Sequence, residues 1–311
     1  MKKHIVTIGC VTALLLVFSV SNVFSWGSAT HAYIGNKLGA KAGLKDFDEM
    51  YGALAPDVFN YTFAPYYPYL YEQTHYTAFN LKSVADEKLQ KAVAYGYISH
   101  NGLWGADLTA HHDGITFGQD EGYIITKANA LALQVGPLLA SQGITLTDPV
   151  LLEVCHNFVE ASVDILMTRL DSSIGAKLVQ ASLFRTRAFS AMLVEVYAQG
   201  LADNAPMTLE EATQVITSAE GSFRRITILY GLALTEPEDI AVQLLAENFA
   251  SFASAYLTAM DVPIPPDVDL APLAAYGIQQ GIALCENDFA AEIGATVKFV
   301  KKNLAKHKKD K

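Results

Sequence analysis

The chain has 311 residues, with 32 acidic and 22 basic side chains and a formal net charge of −10. Seven of the basic residues are lysines within 298–311, so the rest of the chain is more acidic still. Such a surface repels polyanions and argues against a protein that reads nucleic-acid sequence. The length leaves room for one large domain or two small ones with a sizeable core.

The first 25 residues have the features of an export signal. Two lysines precede an apolar stretch over 5–20, and Val-Phe-Ser at 23–25 ends the segment. A short positive region, an apolar region and compact residues before the junction are typical of a secretory signal peptide. We therefore predict cleavage between Ser25 and Trp26 and a secreted or periplasmic protein, rather than one that keeps a membrane anchor.

The segment 60–71 is rich in rings and turns. It reads Asn-Tyr-Thr-Phe-Ala-Pro-Tyr-Tyr-Pro-Tyr-Leu-Tyr, and two prolines among dense aromatic residues argue against a regular helix, so we predict a loop. Its rings either pack onto the core or form a substrate wall, since tyrosine faces can enclose a quaternary ammonium group or rest at a lipid interface. The candidate substrate-binding residues are Phe59, Phe63, Tyr66, Tyr67 and Tyr69.

Most of the remaining chain predicts helices. Helix-start signals such as Thr147-Asp148-Pro149 support this, and strand-like alternation is almost absent. The fold class is therefore predicted to be all-α, with breaks at 201–207 and 261–266. Apolar side chains recur at the three- and four-residue spacing of amphipathic helices in 85–100, 125–141, 148–170, 174–200, 208–232, 237–260 and 270–303.

Histidines are concentrated in the first half of the mature chain. Imidazole and carboxylate groups four residues apart lie on one helix face, where they can share an ion such as zinc. His156 with Glu160 and His111 with Asp107 have this spacing, whereas His100 precedes Asp107 by seven residues and shares its side only if the helix is continuous. The concentration predicts a metal site. The histidines between the signal and the lysine-rich tail are His31, His75, His100, His111, His112 and His156.

Cleavage before Trp26 would add another metal donor. A free α-amino group titrates near ~8 and can bind a metal once it is deprotonated, with its own carbonyl closing a chelate ring. His31 would then come in from the first helix.

Six short motifs occur in a fixed order along residues 26–164. They are Trp26-Gly-x3-His31, Ala55-Pro56-Asp57, Thr74-His75-Tyr76, Gly96-Tyr97-Ile98-Ser99-His100, Asp107-x3-His111 and His156-x3-Glu160. In this order, they resemble the motifs of the bacterial zinc-dependent phospholipases C. Fungal and plant single-strand nucleases share that fold and ligand order, but the Ala-Pro-Asp element and the Asp-x3-His spacing are more similar to the phospholipase branch.

The resemblance implies a multi-helix domain of the phospholipase C/nuclease type with up to three zinc ions. The catalytic region would span 26–200, with additional C-terminal helices over 201–311 packed on the same domain. Asp57 would also orient or deprotonate the attacking water. The implied ligands are Asp57, His75, His100 and Asp107 for the first ion; His111, His156 and Glu160 for the second; and the Trp26 amine and carbonyl with His31 and a shared Asp107 for the third.

Two details of the ligand set need a structural answer. The family usually places the aspartate four residues after the serine-histidine pair, whereas this chain has seven, and Gly102 and Gly105 predict a bulge or break that restores the helix phase. His111 fits the Asp-x3-His spacing, and His112 would then support it from outside together with Asp113.

The function implied by the resemblance is hydrolysis of a phospholipid, or a similar phosphodiester, to a phosphorylated head group and diacylglycerol. A single-strand nuclease on the same trinuclear site and a non-catalytic zinc-binding protein are the alternatives. Expected partners are the phosphodiester substrate and, transiently, a membrane surface, without sequence-specific nucleic-acid binding. The lysine-rich tail is either a frayed helix end or a weak surface contact. Cys155 and Cys285 either pair in an oxidising compartment or stay free.

Overall fold

The computed structural model shows an all-α protein, as predicted, and within its described residues there is no strand. The predicted signal peptide, Phe63 and Tyr66 lie outside those residues, and the side chain of Tyr67 is not described. No helix in the described part of the chain is both long and apolar enough to cross a membrane. The described residues are 26–39, 44–61, 67–77, 80–116, 121–259 and 262–307.

The helices are numbered here in chain order. They are α1 (Ser28–Leu38), α2 (Leu44–Leu54), a 3-10 helix (Ala55–Tyr61), α3 (Tyr67–His75), α4 (Asn80–Ser83), α5 (Lys88–His100), α6 (Ala106–His111), α7 (Tyr123–Ser141), α8 (Asp148–Leu170), α9 (Ile174–Phe184), α10 (Phe189–Asn204), α11 (Leu209–Ala233), α12 (Glu238–Ala259), α13 (Leu270–Cys285) and α14 (Phe289–His307).

Some element boundaries differ from the sequence-based prediction. The loop predicted over 60–71 is wrong at both described ends, because the 3-10 helix continues to Tyr61 and α3 begins at Tyr67. Pro68 lies in the first turn of α3, where a residue without an N–H loses no helical hydrogen bond. The single helix predicted over 174–200 is two, α9 and α10, and α10 continues into the break predicted at 201–207.

Helices α2 and α5 approach each other unusually closely. A Cβ atom added at Gly52 would lie 2.0 Å from the carbonyl oxygen of Val93, and one added at Gly96 would lie 2.0 Å from that of Glu49. Only glycine tolerates such backbone proximity. The contact brings the C-terminal end of α5 against the backbone of α2, and this places His100 beside Ala53.

Helix α8 lies at the centre of the protein. Its 23 residues pack against α1, α7, α12 and α13. Nearly every residue from Cys155 to Met167 is buried, so the helix is covered on all sides there. A helix surrounded in this way can present polar side chains only to other protein groups or to a ligand. His156, Glu160 and Asp164 are such side chains, and they are spaced along one side of the helix.

A buried ion pair joins the N-terminal helices to α11. Arg185, between α9 and α10, donates to Oε1 of Glu220 on α11 through Nε at 2.8 Å, and the Tyr51 hydroxyl on α2 donates to the same oxygen at 2.9 Å. All three side chains are almost fully buried. The C-terminal helices are therefore fastened to the rest of the protein by a charged group as well as by apolar packing.

The two cysteines in the described part of the chain are free and buried. Cys155 lies on α8 and Cys285 at the end of α13, and burial raises the pKa of each thiol to about 12. Of the two alternatives from the sequence, the unpaired one is the one observed.

Candidate metal centre

Imidazoles and carboxylates from separate helices meet in one buried region. Among the described residues, three groups offer one ligand atom per residue, and within each group these atoms lie within 4.8 Å of one another. His100 belongs to two groups, so those two are contiguous. The first group is His75, His100 and Asp107, the second is His111, His156 and Glu160, and the third is His31, Asp57 and His100.

The spacing around His100 fits a tetrahedral metal ion. Its Nε2 lies 3.2 Å from Nε2 of His75, and Oδ1 of Asp57 lies 3.7 and 3.6 Å from these two nitrogens. Two ligands of one tetrahedral zinc ion, each about 2.1 Å from the metal, are about 3.4 Å apart. The three atoms are thus separated as ligands of one ion would be.

The other ring nitrogen of each imidazole is held by the protein. Nδ1 of His100 donates to the carbonyl oxygen of Ala53 at 2.8 Å. Nδ1 of His75 lies 2.7 Å from Oγ1 of Thr74, whose hydroxyl donates to the carbonyl oxygen of Tyr71. The tautomer that satisfies these bonds leaves the lone pairs of both Nε2 atoms directed at each other, an arrangement that a shared cation stabilises.

A tight turn returns Asp107 to the cluster. Helix α5 ends at His100, and Oδ1 of Asn101 accepts from the N–H groups two and three residues further on, at 3.0 and 2.9 Å. A Cβ at Gly105 would lie 2.3 Å from the carbonyl oxygen of His100. The predicted break at the glycines is therefore confirmed, and a continuous helix from His100 to Asp107 is wrong.

One carboxylate oxygen of Asp107 is buried without a hydrogen-bond donor in the described part of the chain. Oδ1 accepts from Nδ1 of His111 at 2.8 Å, but within the described residues Oδ2 has no hydrogen-bond partner, and the side chain is fully buried. Burial alone would raise the pKa of Asp107, yet the nearby imidazoles, with His111 foremost, lower it overall. A buried, ionised oxygen without a donor costs free energy that a cation would recover.

The second group lies on α6 and α8. Nε2 of His156 lies 3.1 Å from Nε2 of His111 and 2.8 Å from Oε1 of Glu160. Burial raises the pKa of Glu160, and the charges of Asp57 and neighbouring carboxylates raise it further. The raised pKa reflects several carboxyl groups that lie close together, and bound cations would relieve the repulsion between their charged forms.

Of the two adjacent histidines, the structure brings His111 into the cluster. His112 is exposed at the end of α6, its neighbour Asp113 is exposed as well, and neither belongs to a ligand group among the described residues. The choice made from the Asp-x3-His spacing therefore agrees with the geometry.

The start of α1 is fixed beside the cluster. The indole Nε1 of Trp26 donates to Oγ1 of Thr109 at 2.9 Å, and its ring stacks on Tyr123 with the centroids 5.3 Å apart. The Asp164 carboxylate accepts from the first N–H groups of α1 at 2.8 Å, a favourable place for negative charge. The backbone before α1 is thereby held one turn from His31.

The His31 ring faces the first group directly. It stacks on the ring of His100 with the centroids 4.1 Å apart, and it is fully buried. Burial lowers the pKa of His31 well below its ordinary value, and the nearby His100 lowers it further. Burial also lowers the pKa of His100, although Asp57 opposes this. Both rings are therefore neutral near pH 7, the form in which imidazole binds metals.

The candidate substrate-binding residues with described side chains pack onto the protein. Phe59 is buried with its ring edge-on to Tyr197, the centroids being 5.6 Å apart. Tyr69 is half-buried, packed on the core and against Gly200 of α10. These contacts correspond to the core-packing alternative.

The sequence did not identify the cleft that opens beside the ligands. It encloses about 280 Å³, with Gly27, Asn60 and Glu160 on the ligand side and side chains of α11 and α12 opposite. The sequence also did not identify Thr109 and Asp164 as positioning residues. Asp164 follows Glu160 by four residues, a spacing that could have indicated it, whereas the apolar wall has the pattern of any core helix. The wall includes Ile226, Leu229, Tyr230, Leu245, Phe249 and Phe252.

The metal-centre hypothesis therefore depends on the geometry of these side chains and on the residue pattern that predicted them. Comparison of the chain with protein-family models, curated proteins and solved structures gives no match in any of the three.

Proposed function

We propose that the protein is a zinc-dependent phosphodiesterase of the phospholipase C type, with the fold of that family. The observation that supports this most strongly is the convergence of three ligand groups around the buried carboxylate of Asp107. Zinc is a common divalent ion that binds neutral imidazoles together with carboxylates, which are the donors present here.

The resemblance assigns the residues that would hold each ion. The first ion would be held by Asp57, His75, His100 and Asp107, the second by His111, His156 and Glu160, and the third by His31 with the freed backbone of Trp26 and a shared Asp107. The ligand groups support the second set as it stands, whereas they place His31 with Asp57 and His100. Bound zinc would neutralise the anionic oxygens of a phosphodiester and lower the pKa of water towards ~7.

We assign the role of base to Asp57. Its side chain is 15% exposed, more than the side chains of His75 and His100 beside it, so solvent reaches this carboxylate. Oδ1 is turned towards the two imidazoles, so Oδ2 is the oxygen assigned to the attacking water. As the water oxygen bonds to phosphorus, Asp57 takes its proton, and the bond from phosphorus to the leaving oxygen breaks. The leaving oxygen takes a proton from solvent and departs as an alcohol, and Asp57 then gives its proton back to solvent.

The cleft favours a lipid over a nucleic acid. A single-strand nuclease needs basic residues that follow the phosphate backbone. The described lining of the cleft contains neither lysine nor arginine, and its far wall is mostly apolar. These features, together with the acidic net charge, favour the phospholipase over the nuclease.

The test combines metal analysis with three substrates. The secreted protein is assayed on phosphatidylcholine, single-stranded DNA and bis(p-nitrophenyl) phosphate, a diester without an acyl chain, while its metal content and N-terminus are determined. We expect up to three zinc ions, Trp26 as the first residue, and release of phosphocholine. Turnover of DNA alone would favour the nuclease, and tightly bound zinc without turnover of any diester would favour a non-catalytic protein. Release of choline would indicate cleavage of the D type.

A further inference from the structure

A second cavity, called here the inner cavity, adjoins the cleft. It encloses about 70 Å³ between α7, α8, α12 and α13, and nearly all of its surface is hydrocarbon. Typical lining side chains are Leu139, Val154, Phe158, Leu257 and Leu273. Water gains little in such a space because polar partners are scarce, so an apolar ligand is its natural occupant.

The cleft and the cavity adjoin each other. Asn157, Phe249 and Phe252 line both, so these three side chains are the boundary between them. Glu153, the only ionisable residue in the cavity lining, is close enough to His111 to interact with its charge. The cavity is thus beside the second ligand group, and the cleft reaches the same region at Glu160.

The mouth of the cleft exposes large apolar side chains. Ile226, Leu229 and Phe252 line the cleft and are also 38%, 56% and 42% exposed. Arg225, next to Ile226, is exposed as well. Apolar surface that converges on the entrance of an apolar cleft indicates a ligand that covers it when bound.

We infer that the cleft and the inner cavity form one binding site for a single linear hydrocarbon chain of the substrate. This inference rests on the proposed function, because the ligand groups at one end would hold the phosphodiester while α11, α12 and α13 enclose the chain. The inner cavity has a volume of only about 70 Å³, which we assign to one chain. The preferred substrate is therefore a monoacyl phosphodiester, of the lysophospholipid class, rather than a diacyl one.

The first experiment uses the unaltered protein and lysophosphatidylcholines of increasing acyl length, each below its micellar concentration. We expect kcat/KM to rise about fourfold for each added methylene until the site is filled, which is the factor for burying one CH2 group. We also expect a monoacyl substrate to be preferred over a diacyl substrate with the same head group and chain length. A rate that is independent of chain length would overturn the inference.

The second experiment measures binding without turnover. Ala253→Phe places a ring in the inner cavity, whereas Ser251→Phe adds the same ring at an exposed position of α12 that lines neither space. The fluorescence of cis-parinaric acid, a linear unsaturated fatty acid, reports binding. We expect saturable binding to the unaltered protein and to Ser251→Phe, and at least a tenfold weaker affinity in Ala253→Phe. Equal affinity in all three proteins would contradict the site.

The two proposals fail in different ways. If bis(p-nitrophenyl) phosphate is hydrolysed but parinaric acid does not bind, the metal centre stands and the chain site is wrong. If parinaric acid binds and Ala253→Phe blocks it while no diester is hydrolysed, the chain site stands and the enzymatic function is wrong. Circular dichroism checks that Ala253→Phe is folded, and the chain-length series tests the site even if it is not.

Discussion

The N-terminal part of the protein, up to Asp164, and the helices after it contribute to the candidate site in different ways. The first part supplies every imidazole and carboxylate of the three ligand groups. The helices α11 and α12 supply no member of these groups, but they build the wall of the cleft opposite Glu160. The same C-terminal region provides Glu220, which secures α11 through Arg185.

Candidate ligands and wall residues differ in how readily a sequence reveals them. A metal ligand must be one of a few residue types, and some candidates here, such as His156 and Glu160, also have helical spacing, so their pattern is visible before the structure is known. A wall needs only apolar side chains of suitable size, and these are also what a buried core needs. Function is therefore easiest to predict for the part of the chain that carries the chemistry.

The largest effect is expected for Asp57→Asn, and full activity in this variant would contradict the assignment of the base to the N-terminal part of the protein. The amide keeps the size of the side chain but cannot take the proton of the attacking water. We expect hydrolysis of bis(p-nitrophenyl) phosphate to fall by up to about 10⁴-fold, while the circular dichroism spectrum is unchanged. Asp239→Asn, at an exposed position of α12, is the control and should retain full activity.

The structural role of the C-terminal helices is tested by Glu220→Ala. This change leaves the guanidinium of Arg185 buried without its carboxylate, and we expect the free energy of unfolding to fall by about 3 to 5 kcal/mol. Glu238→Ala removes the partner of Arg169 in an exposed pair and should cost less than about 1 kcal/mol. Denaturant titrations of both variants measure the difference, and equal losses would show that burial of the first pair has no special importance.

A smaller effect is expected where α14 reaches the start of α1. The Thr109 hydroxyl accepts from Trp26 and from Thr296 of α14, so Thr109→Val leaves two buried donors without a partner. We expect a loss of about 2 kcal/mol in the free energy of unfolding. Thr296→Val keeps the bond from Trp26 and serves as the comparison. If only Thr109→Val lowers the metal content, the indole bond positions the third ion; if both do, the loss is general.

The last prediction concerns the thiols of Cys155, in the N-terminal part, and Cys285, in the C-terminal helices, and involves no change in activity. Because burial raises their pKa to about 12, the thiolate is scarce at pH 8 and its fraction rises tenfold per pH unit up to that value. For the mature chain that begins at Trp26, we expect negligible labelling of native protein by Ellman's reagent at pH 8 and two thiols per chain after unfolding in guanidinium; a chain that keeps residues 1–25 would add Cys10 as a third. Fewer than two in the unfolded, unreduced protein would indicate a disulfide between Cys155 and Cys285.

The all-α class and the pairs four residues apart could be predicted because both depend on local periodicity, whereas the full ligand sets were implied only by the resemblance. The pair His156 and Glu160 meets as its spacing required, and the glycines after His100 marked the break before Asp107. Long-range partners could not be predicted. Nothing in the sequence indicates that the carbonyl of Ala53 accepts from His100, or that Asp164 receives the first N–H groups of α1.

The aromatic segment shows the limit of composition as a guide. Pro68 argued against a helix, yet its position in the first turn of α3 makes it compatible with one. Phe59 was a candidate for the substrate wall because of its neighbours, but its ring is in the core against Tyr197. Whether an aromatic side chain lies in the core or lines a binding site depends on its tertiary contacts, and the local sequence does not reveal these.

The orientations of His100 and His75 differ in how strongly they depend on the identity of neighbouring side chains. The orientation of His100 is fixed by a main-chain oxygen, which any residue at position 53 supplies as long as Gly52 and Gly96 keep the two helices in register. Nδ1 of His75 has a more distant main-chain partner, the carbonyl oxygen of Tyr71 at 3.3 Å, and a closer side-chain partner, the hydroxyl of Thr74 at 2.7 Å. A change at position 74 would therefore alter the orientation of His75 while one main-chain contact remains, whereas a change at either glycine would move the helix that carries His100.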